Sequence, residues 1–318
     1  MKSTTAARLT KIAAVSALAG LALNANATEG GVSKWPNGIE IHGAGILPPP
    51  GLYGQIFAGD VRADTLRDHK GNRATDIDLR VNAIAPRIVW VTEHQVLGGQ
   101  LGFHALAPLM DMRLDITNGP GAGLSDRKRG LGDVQMGPVL GYHLSDKLHI
   151  ATGVDVILPT GNFDKEDLLN LGTNYYTVQA TFAISYAQPK GINADMRLMH
   201  DYNFENKDTN YKSGRELHAD YTLGWAFGNG WTAGIGGHAY QQISDDKCGS
   251  NCDTANPAGT IASLEASDGN RGRSFSVGPA FQYASPKGWM FSAKYQQEFG
   301  VENRSEGEAV WLKFTTAL

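Results

Sequence analysis

Beyond residue 27 the sequence holds no apolar run of the roughly twenty residues that a helix needs to cross a bilayer, so any insertion into a membrane must use strands. Charge of one sign is equally lacking. Twenty-eight Lys and Arg stand against 32 Asp and Glu, interspersed for a net charge of −4. There is no basic stripe for a nucleic acid and no acidic tail. Only two cysteines occur, Cys248 and Cys252, both in the segment Lys-Cys-Gly-Ser-Asn-Cys-Asp at 247–253. Two thiolates without a second pair of Cys or His nearby do not make a closed zinc site. In an exported protein a small Cys248–Cys252 disulfide loop is therefore the favoured reading. Neither a metal site nor a cofactor is expected. The Gly-x-Ser-x-Gly elbow, the His-Glu-x-x-His helix and the phosphate-binding loop are all missing. No Pro/Ser-rich linker divides the chain, which reads as one domain.

What is present starts with an export signal. Lys2, Arg8 and Lys11 precede an apolar stretch from Ile12 to Leu23, and Ala25-Asn26-Ala27 offers small residues for cleavage, so residues 1–27 are expected to be a secretory signal peptide. Residues 28–50 do not alternate like a strand, and Pro48-Pro49-Pro50 favours extended geometry unsuited to a central strand. This segment is expected to be a leader or plug, followed by a β-barrel over residues 51–318.

The stretch from Ser213 to Asp245 carries the barrel reading most clearly. Leu217, Ala219, Tyr221, Leu223, Trp225 and Phe227 share one face, with Glu216, His218, Asp220 and Thr222 on the other. After Gly228-Asn229-Gly230, which tolerates the positive φ of a tight turn, the same alternation resumes from Trp231. About ten residues of alternation is the length of a tilted transmembrane strand. Twelve such strands are predicted, at 52–62, 77–91, 99–115, 131–144, 148–158, 174–187, 192–204, 214–227, 231–243, 273–285, 289–299 and 308–318. Connections alternate between long (63–76, 116–130, 159–173, 205–213, 244–272 and 300–307) and tight (145–147, 188–191, 228–230 and 286–288), with 92–98 looser. Outer-membrane barrels show this asymmetry, with the short turns in the periplasm. The fold expected is an all-β, antiparallel transmembrane barrel of about twelve strands. The last strand ends on Leu318, where such barrels usually place an aromatic residue.

With the apolar set facing lipid, alternation assigns Asp78, Arg80, Asp133, Asp155, Asp195, Arg197, Asp201, Glu216, His218, Asp220, His238, Gln242, Lys294, Gln296, Glu298 and Lys313 to the lumen. Mixed signs fit cross-lumen ion pairs as readily as direct ligand contact, because unpaired charges in a confined interior are costly. Glu216, His218 and Asp220 share a face at two-residue spacing, a pattern any polar strand face produces. His200 is the one histidine on an apparent lipid face, and a lone histidine without a partner is weak evidence for lipid-modifying catalysis.

The order of several short motifs resembles the outer-membrane protein family named for the meta-pathway of phenol degradation, which includes sphingosine-induced porin-like transporters. The residues that carry the resemblance are Glu29-Gly30-Gly31, Pro48 to Tyr53, Gly130-Leu131-Gly132-Asp133, Gly137-Pro138, Leu158 to Gly161, Gly172 to Tyr175, Gly237, Tyr240 to Gln242, Asp246, Gly278-Pro279, Lys294 to Phe299, Glu302 to Arg304 and Gly307. The resemblance spans essentially the whole exported chain. It implies a barrel of the Gram-negative outer membrane, related in role to channels for fatty acids and aromatic hydrocarbons, with residues 28–50 plugging the lumen. Trp35, Ile39, Ile41, Ile46 and Tyr53 would then be apolar contacts of the plug. The partners implied are outer-membrane lipid, the barrel-assembly machinery and a small hydrophobic or aromatic solute, without enzymatic activity. A narrow channel for polar solutes and a lipid-modifying barrel enzyme are the alternatives.

Overall fold

In the stretch Glu216–Phe227, Glu216, His218, Asp220 and Thr222 are buried whereas Leu217, Leu223, Trp225 and Phe227 are exposed. Polar side chains inside and apolar side chains outside require a lumen on one face and lipid on the other. The computed structural model, which describes residues 33–119, 121–249, 264 and 268–318, repeats this rule around a closed antiparallel wall. The expected export signal, residues 28–32 and Cys252 lie outside the described residues. Cys248 is disulfide-bonded.

The strands are β1 (Gly51–Arg67), β2 (Arg73–Val96), β3 (Gly99–Leu106), β4 (Leu109–Asn118), β5 (Ser125–Leu131), β6 (Val134–His143), β7 (Leu148–Leu158) and β8 (Thr177–Tyr186). They continue as β9 (Lys190–Asn203), β10 (Tyr211–Lys212), β11 (Glu216–Phe227), β12 (Trp231–Gln242), β13 (Lys247–Cys248), β14 (Arg273–Ala284), β15 (Met290–Glu302) and β16 (Ser305–Ala317). Each long strand pairs with its neighbours in the barrel, and β1 closes the ring by pairing with both β16 and β2. The short β10 and β13 pair with each other outside the wall. Pro108, which has no N–H to give a ladder, separates β3 from β4. Gly132-Asp133 separates β5 from β6. Both β3 and β4 pair with β2, while β3 also pairs with β6 and β4 with β5, so each interrupted pair is one stave and the barrel has twelve. At the interruption Gly132 N donates to Pro108 O at 2.8 Å and Ala107 N to Pro86 O at 3.1 Å, which keeps the wall bonded.

The outer surface carries Ile84, Ile88, Trp90, Phe182, Leu223, Trp225, Ile235 and Phe281, all exposed. Aromatic rings frame this band. By the short turns Trp231, Tyr283, Trp289 and Phe314 form a chain of ring contacts at 4.9, 5.4 and 6.0 Å. Toward the opposite rim Tyr202–Phe204 and Phe275–Phe299 pair at 5.3 and 6.0 Å. Such girdles sit at the two interfaces of a bilayer.

The wall reaches further outward than expected. The loops predicted at 63–76, 116–130 and 300–307 are largely strand, with β1 extending to Arg67, β2 beginning at Arg73, β5 beginning at Ser125 and β16 beginning at Ser305. The 92–98 connection shrinks to a turn at Leu97-Gly98, both with positive φ. In the outward extension the polarity of the two faces reverses. Asp60 pairs with Arg62, Asp78 with Arg80, Asp115 with Arg113, and Asp111 with Arg127 and Arg129 on the outside, all through partly or fully exposed side chains. Ala63, Leu66, Ile77 and Ile116 are buried inside. Beyond the bilayer the outer face meets water rather than lipid, so charge belongs there. Arg80 and Asp78, assigned above to the lumen, therefore lie on the outer surface.

Candidate functional site

Residues 33–50 enter the lumen, and the packing is apolar first. Trp35, Ile39 and Ile41 are buried against Phe57, Ala85, Leu106, Met199, Ala309 and Trp311 from the wall. Further toward the short turns Leu47 packs on Val89 and Val91. Two glycines make this fit available. Gly38 has φ +77 beside Gln296, a backbone that other residues rarely adopt. A Cβ on Gly45 would lie 2.7 Å from Ser185 N, so the segment approaches β8 closely only because none is there.

A polar network fixes the segment around its one buried carboxylate. Glu40 accepts from Arg197 Nη1 at 3.1 Å and pairs with Lys313, with Arg87 Nη1 at 3.6 Å. Its backbone oxygen accepts from Lys294 Nζ at 2.9 Å. Burial alone would push the Glu40 carboxyl up, but the cations of Lys313, Arg197 and Arg87 override it and hold the group at about 2. Asp220 on β11 accepts from Gly38 N at 2.7 Å, Glu40 N at 3.0 Å and Trp35 Nε1 at 3.3 Å, satisfying backbone donors that no strand partner meets. Asp195 serves the next turn, accepting from Gly43 N at 2.9 Å and facing His42 Nδ1 at 3.2 Å. The Arg197 guanidinium lies 4.3 Å from the Trp35 ring centre.

Behind this contact Asp155 joins His104 Nε2 at 2.8 Å, Gln135 Nε2 at 2.6 Å and Arg197 Nη2 at 3.7 Å. At the outer end Lys34 pairs with Asp133 at 2.8 Å, and Arg304 donates to Ser33 Oγ at 2.7 Å. Burial drives the Lys34 ammonium below its ordinary value, against the raising effect of Asp133.

Of the residues singled out from the sequence, Trp35, Ile41, Asp155, Arg197, Asp220 and Lys294 share this network. Glu216 and His218 lie on the same strand face as Asp220, and His218 Nδ1 is 2.7 Å from Asn37 Oδ1. His238 sits beside it, 3.3 Å from Gln296 Nε2, while Gln296 donates to Asn37 O at 2.9 Å. Gln242 is placed apart, donating to Asp246 Oδ1 at 2.7 Å. Tyr53 stands at the mouth near the short turns and donates to Pro49 O at 2.9 Å. Arg80 is remote, paired with Asp78 at 3.0 Å on the outside. Glu40, Lys34 and Asn37 escaped the sequence reading. The available signal was the lone acid between Ile39 and Ile41.

Above the network lies an apolar cluster. Ile77 and Ile116 pack with Leu79, Leu114, Leu124 and Leu168, and Met112, Leu169 and Leu171 pack with Val81, Met110 and Leu114. The 159–176 connection contributes Leu168, Leu169 and Leu171 by folding against β5, where Lys128 pairs with Asp167 and Leu169 N donates to Asp126 Oδ2 at 3.0 Å. Val61 packs against the Trp35 cluster below, so apolar side chains continue from the upper cluster to the threaded segment.

The sequence family described as "Putative MetA-pathway of phenol degradation" matches residues 63–314. Among solved structures, the COG4313 outer membrane channel from Pseudomonas putida F1 is similar, with 16% identity and a TM-score of 0.71 over 88% of this chain and 100% of that one. The CymD monoaromatic hydrocarbon channel has 11% identity and a TM-score of 0.40 over 85% and 89% of the two chains. The KdgM porin has 9% identity and a TM-score of 0.39 over 83% and 99%. Curated protein sequences give no match.

Proposed function

We propose that this chain, which belongs to the family described as putative MetA-pathway of phenol degradation, is a passive outer-membrane channel for small hydrophobic or aromatic compounds, with residues 33–50 as its constriction. The observation that carries the reading is the reversal of polarity in the outer extension, where apolar side chains line the interior and charged ones face water. A channel for polar solutes has no use for a cluster of Ile, Leu and Met side chains inside its outer end. Burial of an aromatic solute there removes apolar surface from water at about 25 cal/mol per Å². The threaded segment then controls onward passage, because Glu40 must exchange ion pairs before Trp35 and Ile41 can leave the lumen. Lipid surrounds the exposed apolar band, and the assembly machinery of the outer membrane would insert the barrel.

The channel reading assigns no catalysis to the wall. Directly opposite His200 on its two neighbouring strands stand Ala180 and Leu217, so neither a serine nor a carboxylate faces it there. A lipid-modifying activity abolished by His200→Ala would overturn this part.

One observation favours the second reading, a narrow polar-solute channel: the middle of the lumen is lined by charge. Uptake into proteoliposomes decides. An alkylbenzene is expected to enter faster than a sugar of matched size. Entry of the sugar alone supports the polar channel, and entry of neither overturns both.

A further inference from the structure

Asp201 on β9 and Glu216 on β11 stand directly opposite each other in the register, with His218 two residues further along the same inward face. All three side chains are at most 1% exposed. His218 Nε2 lies 3.3 Å from Asp201 Oδ2 and 3.5 Å from Glu216 Oε2, and the three atoms fall within 4.8 Å of one another. None of these three atoms has a hydrogen-bond partner among the described residues. Two buried carboxylates placed opposite each other repel, and buried charge needs compensation.

The far side of each group is held by an amide. Gln179 Nε2 donates to Asp201 Oδ1 at 2.8 Å, and Asn203 Nδ2 donates to Glu216 Oε1 at 2.8 Å. His218 Nδ1 is 2.7 Å from Asn37 Oδ1, which can only accept, so the ring proton sits on Nδ1. With Nε2 deprotonated, its lone pair is aimed at two carboxylate oxygens. Lone pairs converge this way around a Lewis acid, and outer partners that fix the ring and the carboxylates are the usual support of a metal ligand set. Bonds of 2.0–2.1 Å in a tetrahedron place ligand atoms about 3.3 Å apart.

We propose that Asp201, Glu216 and His218 bind one divalent transition-metal ion of the zinc class, with Gln179, Asn203 and Asn37 positioning the ligands. Three protein ligands with one nitrogen and two oxygens suit zinc, leaving a fourth position. Calcium and magnesium favour six or more oxygens and fit poorly. Because Asn37 belongs to the threaded segment, that segment covers the ion, which would load before or during its docking.

The test uses the full-length exported chain folded in detergent, with heat-modifiable gel mobility as the check on folding. After chelation and dialysis, Zn²⁺ is added and bound metal is measured by elemental analysis; Co²⁺ is added in parallel and its visible d–d bands are recorded. One zinc per chain and tetrahedral Co²⁺ bands are expected. Glu216→Gln and His218→Gln, which preserve side-chain size, should remove both signals. Asn37→Ala should keep the stoichiometry and weaken affinity by about 10–100-fold. A folded wild-type chain that retains no metal above a protein-free control overturns the proposal and makes a protonated His218 the compensating cation. Equal binding by wild type and both ligand variants overturns the location.

Discussion

Arg197 Nη1 donates to Glu40 Oε2 across 3.1 Å although 157 residues separate them in the chain. That contact joins the wall to the threaded segment and is shared with Lys313 and Arg87. Glu40→Gln removes the one carboxylate these three cations surround. Losing one side of a buried ion pair costs about 3–5 kcal/mol. Single-channel conductance should rise and become noisy, while the barrel keeps its heat-modifiable mobility. Conductance identical to wild type counts against Glu40 as the anchor.

Deletion of residues 33–47 removes the apolar and polar contacts together. Conductance should rise sharply above that of Glu40→Gln, since Trp35, Ile39, Ile41 and Leu47 all leave the lumen. An unchanged conductance in planar bilayers rules out the segment as the constriction.

Acid should act through the same carboxylate. Glu40 is held at about 2 from an ordinary 4.5, so the stability it contributes is present above 4.5 and is lost as pH falls through about 2. Conductance should stay low above that window and rise within it. The Glu40→Gln channel should lack this rise. A wild-type rise at alkaline pH with none in acid contradicts the assignment.

The apolar cluster above the network yields a selectivity prediction. Leu79→Gln keeps side-chain size but places an amide among Ile77, Ile116 and Leu114. Burying a leucine side chain is worth about 1.5–3 kcal/mol, so aromatic uptake should fall on the order of tenfold while sugar entry is unaffected. Equal loss of both would point to general disruption of the wall.

Arg80→Ala is the matching negative. The side chain is exposed and pairs with Asp78 on the outer surface, where water screens the pair. Uptake and conductance should not change. A strong defect would return Arg80 to the pathway.

The barrel was legible because its two faces demand residues of opposite kind at a period of two. The hairpin of β11 and β12, the tight turns at 228–230 and 188–191 and the lipid face of β9 followed from that alone. Period does not reveal which face is inside, however. Along β2 the alternation continues unbroken from Ile88 to Asp78 while the medium outside changes from lipid to water, so a rule fixed at one end misplaces Arg80 at the other. Glu40 was hidden for a different reason: its partners Arg197 and Lys313 come from strands far along the chain, and only the closed ring brings them to one side chain. The pairing of Asp201 with Glu216 needed the register between β9 and β11, which composition does not fix.

The triple proline at 48–50 runs directly into β1, so the threaded segment is tethered to the wall it closes. A short tether gives a detached segment an effective concentration on the order of millimolar at its own site. Release is thus a unimolecular excursion, and reclosure needs no partner and does not slow when the protein is dilute in the membrane. Polyproline geometry, at about 3.1 Å per residue, also limits the freedom of that return. On the proposed channel reading, a constriction built this way would reset itself after each passage and spend little time fully open.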